Sequence, residues 1–138
     1  MHNGVMTRFA IDALTAVRLA REDIAVPDEH QLVAPKLLQS HALSIVYRAV
    51  RRGELDDAEA HAILDRVTTM RIRLLGDRVS RATAWHVARR LDHEDTAVAE
   101  YIAIAQLQAD AFVTLDDDLA RQVGELVTLA PFEALQAR

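Results

Sequence analysis

Two aspartates stand directly behind short apolar runs that read as strands: Asp12 after Phe9-Ala10-Ile11, and Asp116 after Phe112-Val113-Thr114-Leu115. Carboxylates gathered at the ends of parallel strands are natural ligands for a hard divalent cation, Mg²⁺ or Mn²⁺. An ion held this way activates water and neutralises phosphate charge during phosphodiester cleavage. Each aspartate also suits a plainer role, as N-cap of the helical stretch that follows it, ALTAV after Asp12 and DDLAR after Asp116. Two acids at matching strand ends favour a shared site, with Asp117 and Asp118 exposed beside the second and able to reach an ion through water.

The phosphate chemistry needs cations as well. Arg48, Arg51 and Arg52 close a helical stretch and are candidates for phosphate contact, as are Arg71 and Arg73, because Arg pairs bidentately with phosphate oxygens. For each of them the alternative is helix-end or solvated surface charge. Between Arg48 and Arg90, ten Arg against six acids give about +4, while one Lys and five Arg against fifteen acids elsewhere give about −9. An acidic cluster beside an Arg-rich segment suits a metal site that must hold a polyanion; ordinary solvated helix faces are the alternative. Trp85, Tyr47 and Tyr101 are isolated, so no aromatic platform for stacking bases is legible.

The elements that must position these residues follow from the pattern. Thr7 to Asp12 reads as a strand and Ala13 to Arg21 as a helix, with a charged, Pro27-containing loop from Glu22 to Glu29. His30 to Ala34 is a second strand, closed by Pro35. Leu37 to Arg52 is a helix, with Leu38, Ala42, Ile45, Val46 and Ala49 at i, i+3, i+4 spacing. Arg51 and Arg52 suit its negative end, and Gly53 the left-handed cap. Asp56 with Glu59 forms a capping box for a helix through about Val67. Met70 to Leu75 alternates apolar residues and Arg as a half-exposed strand does. Helices are expected over Arg78 to Leu91 and, capped by Asp95-Thr96, on to Leu107. Ala111 to Leu115 reads as a strand, and Leu126 to Leu129 as a last one before Pro131. Strands alternating with helices imply right-handed crossovers, a mostly parallel sheet covered on both faces, and ligands at the strands' carboxyl ends.

Composition removes several alternatives. The 138 residues suit one domain over residues 1–138, with 51% hydrophobic residues to build a core. Without any Cys there is no disulfide, thiolate zinc site or Cys nucleophile. Gly4, Gly53, Gly76 and Gly124 are too scattered for a phosphate-cradling glycine loop. Apart from His41, the histidines (His2, His30, His61, His86 and His93) show no HxxxH or HExxH spacing, and Ser40 and Ser44 lack a GxSxG context. No apolar run approaches the roughly 18 residues of a membrane span, and the N-terminus lacks the apolar stretch of a secretory signal. The expectation is a cytoplasmic protein with no membrane partner.

Three pieces in order, FAIDALTAV, LVAPKLLQSHALSIVYRAVRRGELD and AEYIAIAQLQADAFVTLDDDLAR, resemble the PIN-domain family, and within it the VapC-type toxins of bacterial toxin–antitoxin pairs. The resemblance covers nearly the whole chain. It implies a PIN-like three-layer α/β fold, with a central mostly parallel sheet flanked by helices. It also implies a divalent-metal-dependent endoribonuclease acting on RNA, a homodimer, and a cognate antitoxin protein whose C-terminal segment covers the active site.

Carried over residue by residue, Asp12 matches the family's first acid and Asp116 the acid of T-x-D, here Thr114-Leu115-Asp116. The family's Glu in the second helix falls at His41, and its Asp before A-x-Y at Val98, eighteen residues before Asp116. His41 then has three readings: a partly buried, hydrogen-bonded residue; a metal ligand in place of Glu; or a cationic phosphate contact. As a ligand, its neutral imidazole would suit Mn²⁺ or another imidazole-tolerant metal better than Mg²⁺. Asp95, about one turn before Val98, reads as the helix N-cap or as a substitute metal ligand, and Glu100 points away into solvent. The expectation is therefore a metal-dependent ribonuclease with a diverged site: Asp12 and Asp116 catalytic, and Asp95 and His41 completing the metal set. The alternative is a catalytically silent module that binds RNA or a protein partner, a reading favoured by the absent Glu and Asp.

Overall fold

The computed structural model of the protein describes residues 6–137. The stretch read above for a leader lies partly outside the described residues. The chain runs β1 (Thr7–Ile11), α1 (Ala13–Arg21), β2 (His30–Pro35), α2 (Leu38–Arg51), α3 (Asp57–Thr69), β3 (Ile72–Leu75), α4 (Arg78–Leu91), α5 (Ala97–Gln108), β4 (Ala111–Val113) and α6 (Asp117–Val123), then a 3₁₀ turn over Phe132–Leu135.

All four strands pair in parallel, in the order β3-β2-β1-β4. Phe9, Ala10, Ile11, Leu32, Val33, Ala34, Phe112 and Val113 are all buried, as continuous apolar strands covered on both faces must be. The crossovers from β1 to β2 to β3 step one way across the sheet, and the crossover from β3 returns past both strands to the far side of β1. With right-handed connections, α1, α2 and α3 cover one face, and α4 and α5 the other. The packing agrees: α1, α2 and α3 contact one another, α4 lies on α5, and α5 lies along β1 and β2. The result is a three-layer α/β fold. Helix α5 is buried almost all round, with Ala99, Tyr101, Ile102, Ala103, Ile104 and Ala105 in the core, and its many alanines permit close approach to the sheet.

Local chemistry sets the helix ends. Asp56 and Glu59 form the expected capping box of α3. After α2, Gly53 takes φ +74°, in the left-handed region that favours glycine. Three expectations are corrected. The third strand begins at Ile72 rather than Met70, because Met70 serves as the C-cap of α3 and its N–H still bonds the Arg66 carbonyl. The fourth strand stops at Val113, where Thr114 turns its hydroxyl to Asp12. The stretch from Leu126 to Leu129 is not a strand but a single bridge from Leu129 to Phe112, and Pro131, without an N–H, cannot extend the ladder. Among the described residues no helix is long and apolar enough to cross a membrane.

The strand order reverses between β1 and β4. In open α/β sheets the crevice at such a switch point, outside the carboxyl ends of the strands, is where ligands are held. Asp12 follows β1 and Asp116 lies three residues beyond β4.

Candidate metal and phosphate site

Asp12 is buried, with 6% of its surface exposed, and is the N-cap of α1. Its Oδ1 accepts from the Thr15 backbone N–H at 2.9 Å and from the Thr15 hydroxyl at 2.6 Å. Its Oδ2 accepts from the Thr114 hydroxyl at 2.5 Å. A buried carboxylate without such donors would be costly, and no cation supplies them: neither Asp12 nor Asp116 is ion-paired among the described residues. The same Thr114 oxygen accepts from the Asp116 backbone N–H at 3.1 Å, so one hydroxyl ties the two acids together. Asp116 is exposed, and its Oδ1 accepts from the Leu119 N–H at 3.0 Å, capping α6.

The capping and ligand roles are thus compatible. Each aspartate uses Oδ1 for its helix. Oδ2 of Asp12 keeps one lone pair free, and Oδ2 of Asp116 has no hydrogen-bond partner among the described residues.

Positions 12, 41, 98 and 116 line one cavity of about 310 Å³, together with Arg48 and Tyr101. His41 comes from α2, and Val98 and Tyr101 come from α5. Nδ1 of His41 lies 2.9 Å from the Tyr101 hydroxyl. Burial and, after it, the nearby Asp12 charge raise the Tyr101 pKa far above the ordinary tyrosine range, only partly offset by the Ala13 backbone amide, so the phenol keeps its proton. Val98 is half-buried at the cavity wall.

Asp95 is not brought to this cavity. Its exposed carboxylate accepts from the Ala97 N–H at 3.1 Å, so it helps to cap α5, and the expected fourth ligand is corrected to a cap. Glu100 is half-buried rather than solvated, its Oε2 accepting from the Thr96 hydroxyl at 3.1 Å.

A second groove, of about 700 Å³, shares Leu14, Ile45 and Arg48 with the cavity. Arg18 and Arg21 of α1 and Arg52 after α2 line it, whereas Arg51 does not. Arg18 donates from Nε to Glu22 at 2.7 Å and sits 4.0 Å over the Phe132 ring. Arg71 and Arg73 belong to a different cavity, with His30 and Gln31 at the start of β2. Sequence reasoning missed the hydroxyls of Thr15 and Thr114 and the groove arginines of α1. The Asp-x-x-Thr spacing of a helix N-cap is the signal that could have found Thr15.

Among the described residues no three His, Asp or Glu side chains are grouped to hold a metal. Two carboxylates, Asp116 with a spare oxygen and Asp12 with a spare lone pair, do not make an all-protein cage. They fit the manner in which Mg²⁺ binds beside a phosphate, with one or two carboxylates and several retained waters.

No protein-family model matches the chain, and no curated protein matches it. Among solved structures the chain is similar to the crystal structure of PAE2754 from Pyrobaculum aerophilum, with a TM-score of 0.68 at 19% identity over 96% of each chain. That likeness shows the three-layer fold alone.

Proposed function

We propose that the protein is a divalent-metal-dependent endoribonuclease, VapC-like, with a reduced active site built on Asp12 and Asp116. The observation that carries this reading is that all four positions at which the PIN family places acids line one cavity at the topological switch point of the sheet. Asp12 and Asp116 are the residues that would hold Mg²⁺ or Mn²⁺, and the bound ion would lower the pKa of a water and offset phosphate charge. Thr114 holds the Asp12 carboxylate in place and positions the Asp116 backbone. Arg48, at the junction of cavity and groove, supplies a bidentate donor to the RNA phosphate, and Arg52 extends that positive path. The reaction is hydrolysis: a water oxygen forms the new bond to phosphorus, and the displaced ribose oxygen takes up a proton. A cognate antitoxin and a second copy of the chain are the partners that go with the same reading.

The test is cleavage of single-stranded RNA with Mg²⁺ or Mn²⁺ by the parent, Asp12→Asn and Asp116→Asn. Each variant should lose at least about 100-fold in rate, since each removes an ionised oxygen from a two-carboxylate site. An Asp12→Asn protein as active as the parent would refute the assignment.

A second reading, a silent module that binds RNA or a protein partner, is favoured by the occupation of two of the four positions by His41 and Val98. Metal titration separates the two. A silent module binds Mg²⁺ no better than a surface carboxylate pair does, and its RNA affinity is unchanged in Asp12→Asn.

A further inference from the structure

We infer that His41 acts as a hydrogen-bond donor to a substrate phosphate oxygen through its Nε2–H, held in that tautomer by the Tyr101 hydroxyl, and not as a metal ligand. This deepens the ribonuclease reading above and rests on it. A neutral imidazole carries one N–H and one acceptor nitrogen, and the bond made by one nitrogen decides the state of the other.

The Tyr101 side chain is buried, at 3% exposure, and its hydroxyl has His41 Nδ1 as its side-chain partner at 2.9 Å. A buried hydroxyl proton needs an acceptor, and Nδ1 is the acceptor in reach. The reverse arrangement, Nδ1–H donating to the phenol oxygen, would strand the phenol proton without an acceptor. With His41 Nδ1 as the side-chain acceptor at 2.9 Å, the hydroxyl donates and Nδ1 accepts. The imidazole proton then sits on Nε2. Among the described residues that nitrogen has no protein partner, and it is not among the buried atoms lacking one, so solvent reaches it on a residue that lines the cavity.

A nitrogen that carries a proton has no lone pair for a metal. Relative to a carboxylate at this position, His41 therefore removes a negative charge and adds a donor. The site trades ion affinity for a hold on the phosphate, next to Arg48 in the same cavity. In this scheme Tyr101 is a positioning residue that acts through the imidazole.

The experiment is long-range ¹H–¹⁵N correlation of the histidine rings in the full chain. His41 should show the Nε2–H tautomer, keep it at saturating Mg²⁺, and shift at Nε2 when a short single-stranded 2′-O-methyl RNA is added. Tyr101→Phe, which preserves the ring volume, should lose the single-tautomer signature. His41→Ala should weaken binding of that RNA about tenfold, the loss expected for one hydrogen bond to a charged group. His41→Gln, whose amide N–H can stand where Nε2–H stood, should recover most of it. An Nδ1–H tautomer, loss of Nε2–H on adding Mg²⁺, or unchanged RNA affinity in His41→Ala would each overturn the donor role and leave the ribonuclease reading standing. A parent chain that neither binds nor cuts RNA removes that reading, and the donor role with it.

Discussion

The hydroxyls matter as much as the acids. Asp12 and Asp116 are legible in the sequence because each follows an apolar strand at short range. Thr114 is 102 residues from Asp12, and nothing local marks its hydroxyl as a donor to that carboxylate. The Tyr101 hydroxyl is equally silent, since a Tyr in an apolar helix reads as core, and its partner His41 lies 60 residues away. Asp95 is the converse case: its spacing from Val98 suggests a ligand, while its carboxylate serves the backbone. Tyr101 also has a pH signature. In the unfolded chain a tyrosine ionises near pH 10. In the folded chain burial and the Asp12 charge hold the proton to higher pH. Below about pH 10 the two states bind this proton equally, and the Tyr101 contribution to stability is fully present. As pH rises further the unfolded chain loses the proton first, so that contribution falls. Tyr101→Phe should therefore give a shallower alkaline limb in melting temperature against pH than the parent. Parallel limbs for the two proteins would place Tyr101 in a solvated environment.

At the scale of elements, period and capping carry most of the information. Helices α2, α3 and α4 lie within two residues of their expected bounds, because apolar spacing, the Asp56–Glu59 box and Gly53 are local signals. The last two strand expectations were too generous, because side-chain chemistry at Thr114 and the missing N–H of Pro131 ended pairing that apolar content alone would extend. Helices α2 and α5 carry His41 and Val98 to the cavity that the strand ends open on. If that register is the functional one, His41→Glu with Val98→Asp should strengthen Mg²⁺-dependent RNA cleavage by about tenfold or more, because four carboxylates suit a hard ion. Without metal, like charges in one pocket should lower the stability of the double variant by about 1–3 kcal/mol. Mg²⁺ at about 100 times its Kd should return about 2.7 kcal/mol by binding only the folded state. Val98 is half-buried, so an aspartate there keeps contact with water. The single changes should do less, since each supplies one ligand of a coupled set. A stable double variant that neither binds Mg²⁺ nor gains cleavage would reject the register.

The whole molecule adds what no local pattern holds, the order of the strands. Sequence alternation implies a parallel sheet, but β3-β2-β1-β4 depends on pairings between residues up to 102 apart, such as Thr7 to His30 on one side of β1 and Phe9 to Ala111 on the other. That order places the reversal beside Asp12 and brings two cap residues to one cavity. It also sets α1 against α2, so that Arg18 and Arg21, outside the Arg-rich middle of the sequence, join Arg48 and Arg52 in one groove. The net charge of −5 would repel a polyanion, so the proposed binding of RNA would depend on this local concentration of cations. Arg18 is engaged by Glu22, while Arg21, Arg48 and Arg52 have no ion-pair partner among the described residues. If those three neutralise phosphates, the logarithm of the affinity for single-stranded RNA should fall against the logarithm of salt concentration with a slope of about −2, at roughly −0.7 per phosphate. Replacing Arg48 and Arg52 together by Ala should lessen the slope by about 1.4 and weaken binding without changing preference between RNA sequences, because phosphate contacts carry no base information. Fluorescence anisotropy across a salt series measures both. A slope unaltered in the double variant would mean that RNA does not follow this groove, and would leave its apolar floor of Leu14, Val17, Ile45 and Leu55 to a protein partner.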